Sequence, residues 1–437
     1  MVNNRTFHNL DVNLKNNLIR AYKHYETSYE KNILQFKDVN LSKQYIRKHR
    51  IFAIQHLSDL LAQFEKKFTI RGGKVHYAKD FNEVFAILDK ILSHSSIIVK
   101  SKSMVTEEIE LNKWISETKN AEVWETDLGE FIVQQMGQKP AHITAPAIHL
   151  SKEEIFTFFQ KHFGIGNSIN EVVEFVRKFL RKKFLEADVG ITGANFLVAD
   201  VGAVAITENE GNAGLSVSYP KIHIILTTPD KIIPTIRSLA LFWPMLATHG
   251  TGQKITAYNH LIFGTPTAEE IDGPKEVHLI LLDAKRSEIL KNADLNTILT
   301  CIHCGACLTV CPIFQRVGGH AFNSVYAGPM GSILSPLLFK EEYMYEFSSV
   351  CTLCGACSER CPVEIPLDKL LIKLRIGQVK EKSNYFYKIF LKSLKRNKLI
   401  HAVPGYVKNI GFRFFMGKRW NAFRHPIRFP KKTFTRK

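Results

Sequence analysis

The chain has 437 residues, of which 45% are hydrophobic and 23% charged, a composition that excludes a disordered or fibrous protein and predicts two or three globular domains. It contains no run of about eighteen apolar residues and no cationic start followed by an apolar core, so neither a membrane span nor a secretory signal is predicted. The net charge is +18, but residues 380–437 hold seventeen Lys or Arg and one acid, which leaves +2 for the rest of the chain.

Residues 1–70 are predicted to form an N-terminal helical segment. Apolar residues recur there at helical spacing, for example at Ile51, Leu57, Leu60 and Phe64. The sequence Arg-Gly-Gly at 71–73 ends this pattern.

Residues 71–286 alternate between strand-like and helix-like segments. This alternation predicts an α/β domain with a largely parallel sheet, whose ligand-binding loops gather at the carboxyl ends of the strands. Strands are predicted at 75–78, 96–100, 122–126, 189–192, 201–207, 223–227 and 277–282, and helices at 81–92, 107–118, 152–163 and 170–187.

Two copies of the pattern C-x2-C-x2-C-x3-C-P follow this domain. The first comprises Cys301, Cys304, Cys307 and Cys311, and the second comprises Cys351, Cys354, Cys357 and Cys361. This is the spacing of bacterial ferredoxins with two [4Fe–4S] clusters, in which the fourth cysteine of each motif ligates the other cluster. The predicted ligands are therefore Cys301, Cys304, Cys307 and Cys361 for cluster 1, and Cys351, Cys354, Cys357 and Cys311 for cluster 2.

Zinc and disulfides are the alternative uses of these cysteines. Structural zinc usually takes two separated C-x2-C pairs, and cysteines this close in sequence are poorly spaced for disulfides within a motif. The two motifs use all eight cysteines of the chain. Cluster-ligating thiols also favour a reducing compartment, so we expect a cytoplasmic protein.

Residues 287–379 are predicted to form an α-helical ferredoxin module. The 39 residues between Cys311 and Cys351 are too many for a bare loop in a compact domain. A helix is predicted within them at 334–347.

Charged residues at strand ends are the candidates for a catalytic or ligand-binding role. Glu125, Asp127 and Glu130 cluster at a predicted strand-to-helix junction, where Asp127 could instead cap the helix. Lys100 and Lys102 could bind a carboxylate or phosphate, or could be solvated or paired with Glu107. Two further acids, Glu208 and Glu210, follow a predicted strand beside a turn at Gly211 and Asn212.

Two other features favour plain structural interpretations. The glycines in Gly250-Thr-Gly252 are not followed by Lys-Ser/Thr as in a P-loop. His142, His149 and His223 are dispersed and are interpreted as packing or hydrogen-bonding histidines.

The α/β portion resembles the lactate-utilisation (LUD) domain family. The stretches that carry the resemblance are KSKSM at 100–104, ETDLGE at 125–130, ADVGITGAN at 187–195, ENEGN at 208–212, GQKITAY at 252–258 and DGP at 272–274. A LUD domain followed by two cluster motifs resembles the B subunit of the lactate-utilisation family. Phe263-Gly-Thr-Pro266 and Asp283-Ala-Lys-Arg286 depart from the turns expected there, which leaves the geometry of both loops open.

This resemblance implies a fold related to the sugar-phosphate isomerase and formyltetrahydrofolate cyclo-ligase group. It also implies an iron–sulfur subunit that oxidises L-lactate to pyruvate together with a cysteine-rich redox subunit and a small LUD-domain subunit. Lactate comes from the resemblance alone. The alternative is an electron-transfer adaptor for a different dehydrogenase, with the LUD domain as a docking platform.

The basic tail, residues 380–437, interleaves aromatic and cationic residues. It could dock a partner subunit, contact anionic lipid at the inner face of the membrane, or remain a solvated extension. Nucleic-acid binding is the least favoured interpretation, because it depends on the tail alone.

Overall fold

A computed structural model describes residues 12–92, 97–340, 346–382, 404–415 and 428. The chain forms two compact units, Met1–Arg375 and Ile376–Lys437. The first unit contains the α/β domain and all eight cysteines.

Three helices form the N-terminal segment: α1 (Val12–Asn32), α2 (Val39–Gln55) and α3 (Leu57–Ile70). Asp38 caps α2 by accepting a hydrogen bond from the Leu41 N–H at 2.9 Å. Phe64 and Phe68 of α3 are fully buried in a cluster with the strands of the α/β domain. Over the described residues, the prediction of helices before residue 71 is confirmed.

A six-stranded parallel sheet forms the centre of the α/β domain, in the order β1-β10-β7-β4-β2-β3. The prediction of a largely parallel sheet is confirmed. Its strands are β1 (Gly73–Ala78), β2 (Ile97–Lys100), β3 (Glu122–Glu125), β4 (Val189–Thr192), β7 (Ile222–Thr227) and β10 (Glu276–Leu282).

Eight helices connect these strands or follow them. Asp127 caps α7 through the Glu130 N–H at 3.0 Å, as the cap interpretation predicts. The helix predicted at 107–118 is instead two helices, because Glu110 adopts a left-handed φ of 50°. The eight are α4 (Phe81–Ile91), α5 (Met104–Glu108), α6 (Leu111–Thr118), α7 (Leu128–Gln135), α8 (Lys152–Phe163), α9 (Ile169–Glu186), α10 (Asn212–Ser218) and α11 (Leu239–Thr251).

A second, mixed sheet of four strands has the order β8-β5-β6-β9. It contains β5 (Phe196–Val198), β6 (Ala203–Glu208), β8 (Ile232–Ile233) and β9 (Tyr258–Ile262). Strand β6 pairs antiparallel with both β5 and β9, so the strand predicted at 201–207 belongs here and not to the parallel sheet.

The region that contains the cysteine motifs consists mainly of short helices. The limits predicted for a helix at 334–347 were wrong. Helix α15 starts at Gly328 and ends at Phe339, because the next residue, Lys340, adopts a left-handed φ of 57°. Residues 341–345 lie outside the described part. The helices are α12 (Arg286–Lys291), α13 (Ala306–Thr309), α14 (Phe314–Val317), α15 (Gly328–Phe339), α16 (Glu346–Val350), α17 (Ala356–Arg360) and α18 (Leu367–Lys382).

The second unit contains the end of α18 and a further helix, α19 (Gly405–Phe415). Most of the basic tail lies outside the described residues. Within the described part of the chain, no helix is long and apolar enough to cross a membrane.

Gly190 provides a test of the packing at the centre of the parallel sheet. A Cβ added to Gly190 of β4 would lie 1.7 Å from the Ser216 carbonyl oxygen of α10. We expect Gly190→Ala to lower the free energy of unfolding by about 1–3 kcal/mol or more, since backbone must move. Gly377→Ala is the control, because nothing lies within 4 Å of its added Cβ and alanine favours a helix. Equal thermal stability of the two variants would contradict this packing.

Candidate functional site

A cleft of about 300 Å³ opens where β6 of the mixed sheet and the loops after β2 and β3 converge. Four of the seven charged residues singled out in the sequence line it: Lys102, Asp127, Glu208 and Glu210. Ligands bind at the carboxyl ends of strands in parallel α/β sheets, so its location agrees with the sequence prediction.

Asp127 and Glu210 both hold the start of α7 while they face the cleft. Asp127 caps the helix through Oδ1, and its Oδ2 lies 3.8 Å from the Lys102 ammonium. Glu210 accepts a hydrogen bond from the Leu128 N–H at 3.2 Å. Burial, and then the Asp127 carboxylate, raise the pKa of Glu210. These acids therefore combine a structural role with access to a ligand.

Glu208 is held as a carboxylate by the helix that follows it. Its two oxygens accept hydrogen bonds from the Ala213 and Gly214 N–H groups at 2.7 and 2.8 Å, at the start of α10. The His260 imidazole lies 2.7 Å from Oε1. Burial acts to raise the pKa of Glu208, but the His260 hydrogen bond and these amides lower it overall. Glu208 is therefore a fixed negative charge on one wall of the cleft.

Lys100 and Glu125 lie beneath the cleft and do not line it. The Lys100 side chain is only 1% exposed, and its ammonium lies 2.7 Å from Glu125 and 3.2 Å from Glu107. Burial acts to lower the pKa of Lys100, but the Glu125 and Glu107 carboxylates raise it overall. The structure therefore contains the Lys100–Glu107 ion pair that the sequence offered as an alternative to ligand binding.

Glu130 faces a second cavity of about 930 Å³, between α7 and the segments around α13 and α15. Burial, followed by repulsion from the Glu125 carboxylate, raises the pKa of Glu130 to about 8. Glu130 is therefore protonated at neutral pH and can donate a hydrogen bond.

The three dispersed histidines make local hydrogen bonds. His223 contacts Thr192 Oγ1 at 2.8 Å, His149 contacts Gln138 Oε1 at 2.6 Å, and His142 accepts from the Thr144 N–H at 3.1 Å. Burial lowers the pKa of His223 to about 3. These contacts agree with a packing and hydrogen-bonding role.

The two cysteine motifs adopt the same backbone conformation. His303 and Leu353, which precede the second cysteine of each motif, have φ values of 54° and 58°, and Gly305 and Gly355 have 83° and 82°. Backbone N–H groups point at sulfur in both copies: His303 N lies 3.3 Å from Cys301 Sγ and Leu353 N lies 3.4 Å from Cys351 Sγ. The two motifs therefore share the same left-handed turns and the same N–H contact to their first cysteine.

Electrostatic interactions between the sulfurs connect cysteines of one motif with the fourth cysteine of the other motif. Burial, and then the nearby Cys361, raise the pKa of Cys301 to about 11. Burial, and then Cys351 and Cys311, raise the pKa of Cys357 to about 12. Cys361 is therefore near enough to interact with the first motif, and Cys311 with the second, while the crossed ligation itself stays a prediction.

The comparisons with known proteins match both the α/β domain and the cysteine module. The family model described as LUD domain matches residues 61–282, and the one described as 4Fe-4S dicluster domain matches residues 297–365. The lactate utilization protein B of Bacillus pumilus (strain SAFR-032) is 43% identical over 335 residues, which are 76% of this chain and 70% of that protein. The chain belongs to the lactate utilization protein B family.

Two further proteins are similar. The lactate utilization protein B of Bacillus cytotoxicus is also 43% identical, over 76% of this chain and 69% of that protein. The crystal structure of a DUF162 family protein from Deinococcus radiodurans covers 52% of this chain and 98% of its own, at 14% identity and a TM-score of 0.30, which is too low to inform the fold.

The cysteines fit an iron–sulfur cluster chemically. All eight are free thiols, and the backbone N–H groups aimed at sulfur would stabilise thiolates. No three His, Cys, Asp or Glu side chains among the described residues have the geometry of a site for a single metal ion. Each thiolate of a four-iron cluster binds a different iron, so the sulfurs need not meet at one point.

The cleft wall also contains residues that the sequence did not single out. Lys231, His303 and Tyr326 line it, together with Cys304 of the first motif. The LUD cleft therefore reaches the cysteine module directly. The signal available in the sequence was weak, since Lys231 follows an apolar strand and His303 lies inside the cysteine motif.

Glu130 gives the LUD domain a predictable pH dependence. Its pKa is raised from an ordinary value of 4.5 to about 8, so the folded chain binds more protons than the unfolded chain between these values. Stability should therefore fall as pH rises through this window, by up to about 1.4 kcal/mol per pH unit. Glu130→Gln should weaken this fall, when the thermal midpoints of the anaerobic proteins are compared from pH 5 to 8.5. An unchanged pH profile would place Glu130 in a solvated environment.

Proposed function

We propose that this chain is the iron–sulfur electron-transfer subunit of a complex that oxidises L-lactate to pyruvate. One observation carries the proposal: the cleft that gathers Lys102, Asp127, Glu208 and Glu210 is also lined by Cys304. The names of the family members, which mention lactate utilization, support the substrate. The letter B in those names distinguishes one member of a set, which supports a system of several proteins.

We assign two [4Fe–4S] clusters to the crosswise cysteine sets, Cys301, Cys304, Cys307 and Cys361, and Cys351, Cys354, Cys357 and Cys311. When bound, such clusters accept and donate single electrons. The chain itself supplies the thiolates, the backbone N–H groups that face sulfur, and an apolar surrounding that includes Cys304, Cys357 and Cys361. Hydrogen bonding and exposure of this kind tune the potential of a cluster.

The exposure of the cysteines suggests a direction for the electrons. Cys304 and Cys361 of the first set are buried and Cys304 borders the cleft, whereas Cys354 of the second set is exposed. We therefore place the substrate beside the first set and the redox partner beside Cys354. Electrons would enter through the buried set and leave through the exposed one.

The oxidation of lactate to pyruvate releases two electrons and two protons. Within this chain, carboxylates such as Asp127 and Glu210 line the cleft and can accept a proton. The sequence contains no G-x-G-x-x-G fingerprint for a nicotinamide or flavin dinucleotide. We assign the step that removes the substrate hydrogen to the complex as a whole.

The partners follow from the resemblance: a cysteine-rich redox subunit and a small LUD-domain subunit. We propose the domain limits 1–70, 71–286, 287–379 and 380–437, with the last segment contacting a partner or anionic lipid. The relation of the LUD domain to the isomerase and cyclo-ligase group, the wholly helical character of the module and the cytoplasmic location stay predictions.

Reduction of the clusters by lactate tests the function directly. The complex, purified anaerobically, should show the EPR signal of reduced four-iron clusters after L-lactate is added, and a complex carrying Cys304→Ala should show it weakly or not at all. D-lactate serves as the matched control. Reduction by another dehydrogenase substrate but not by L-lactate would support the adaptor alternative and overturn the proposal.

The crossed ligation gives a second test. The unaltered chain should hold about eight iron and eight sulfide. If Cys361 belongs with the first motif, Cys361→Ala should change the EPR spectrum in the way that Cys304→Ala does, and not as Cys354→Ala does. The opposite ranking would mean that each motif holds its own cluster, and zinc in place of iron would remove the clusters from the proposal.

A further inference from the structure

We propose that Lys231 is the anion-binding residue of a small-carboxylate site in the cleft beside Cys304. The inference rests on the proposed function and extends it, because it places the substrate and names the group that holds its charge. Lys231 lies in the turn that follows β7, a central strand of the parallel sheet. It lines the same cavity as Cys304.

The Lys231 ammonium forms no hydrogen bond or ion pair in the described part of the chain, although Asp230 and Cys301 are near enough to interact with it electrostatically. Its side chain is buried, with 9% of the residue exposed. The neighbouring Asp230 carboxylate is directed to Arg286, with Oδ1 3.3 Å from Nε. A buried charge without a partner costs several kcal/mol, so an anion in the cleft would remove a real penalty.

The size and lining of the cleft define the class of anion. A volume of about 300 Å³ is at the lower end of the range for ligand pockets and has room for a small carboxylic acid. The other lysine in the lining, Lys102, already faces Asp127 at 3.8 Å. The carboxylates of Glu208 and Glu210 also line the cleft but accept hydrogen bonds from backbone N–H groups, so Lys231 is the lysine of the lining left to bind one carboxylate. Hydroxyl and amide groups such as Ser101, Thr207 and Asn195 line the same cavity and can bind a hydroxyl next to the carboxylate.

A competing role for Lys231 is to balance the charge of the first cysteine set, because Cys301 is close enough to interact with it electrostatically. Such a role requires no ligand. The two roles differ in one measurable respect: only a ligand-binding lysine controls the affinity for a carboxylate in the chain without its partners.

Calorimetric titration of the full chain with L-lactate under anaerobic conditions tests the assignment. Lys231→Met keeps an unbranched side chain of nearly the same length and removes its charge, and should weaken L-lactate binding at least tenfold. Lys221→Met is the matched control, because Lys221 is exposed and lies just before β7, at the opposite end of the strand. It should leave the affinity unchanged. Iron content and circular dichroism confirm that each variant is folded.

Three results would overturn the inference. The first is an altered cluster spectrum in Lys231→Met with unchanged lactate affinity, which assigns the lysine to charge balance. The second is inorganic phosphate binding as tightly as L-lactate, which removes the carboxylate specificity. The third is an absence of L-lactate binding to the unaltered chain while the complex still oxidises L-lactate, which leaves the proposed function intact and moves the site elsewhere.

A measurement on the unaltered chain covers the case in which Lys231→Met fails to fold. L-lactate labelled with ¹³C at its carboxyl group should show a hyperfine coupling to the reduced first cluster in electron–nuclear double resonance, because the ligand lies beside Cys304. No coupling with the site saturated would place the carboxylate away from the first cysteine set and overturn the inference.

Discussion

A buried arginine joins the LUD domain to the cysteine module. The Arg286 guanidinium donates two hydrogen bonds to the Glu108 carboxylate, at 3.0 and 2.7 Å, and lies 3.3 Å from Asp230. Tyr326, from the module, donates to the same Glu108 carboxylate at 2.6 Å. All four residues are buried. Removing one partner of such a network leaves a buried charge without compensation, at a cost of about 3–5 kcal/mol.

A second buried arginine fixes the cleft wall against the first cysteine motif. Arg50 of α2 donates to the carbonyl oxygens of Asp230 and Ile232, at 2.5 and 2.7 Å, on either side of Lys231. It also donates to Leu299 and Thr300, at 2.9 and 3.0 Å, immediately before Cys301. One guanidinium therefore holds the turn that carries Lys231 and the segment that leads into the motif. The distance between the cleft and the cysteines depends on this contact.

The sequence predicted the parts of the fold that depend on local patterns. Alternating strands and helices gave the parallel sheet, and the acid before α7 predicted the cap at Asp127. The cysteine spacing also predicts the crosswise ligand sets, which stay a prediction. The roles of Arg50 and Arg286 were not predictable in this way. Nothing in a helical pattern distinguishes an arginine that packs inward from one that faces solvent.

The loop at 283–286 shows a second limit of predicting structure from local sequence patterns. Ala284 and Lys285 lie in the loop that departs from the expected turn, and the backbone adopts left-handed φ values of 40° and 68° there. These conformations are costly for residues other than glycine and asparagine. The Lys285 ammonium donates to the Leu338 carbonyl at 2.7 Å, and Arg286 follows at once in the buried network. Tertiary contacts therefore impose a turn that the local sequence disfavours.

The packing around the first cysteine motif also explains the glycines at 250 and 252. A Cβ on Gly250 would lie 3.1 Å from the Cys304 carbonyl oxygen, and one on Gly252, whose φ is 74°, would lie 2.7 Å from the Ser28 side chain of α1. The end of α11 therefore packs tightly between α1 and the first cysteine motif. Gly250 also lines the cleft. Since a larger residue would push α11 away from Cys304, these glycines keep the cleft adjacent to the cysteines, and a phosphate-binding loop is not needed to explain them.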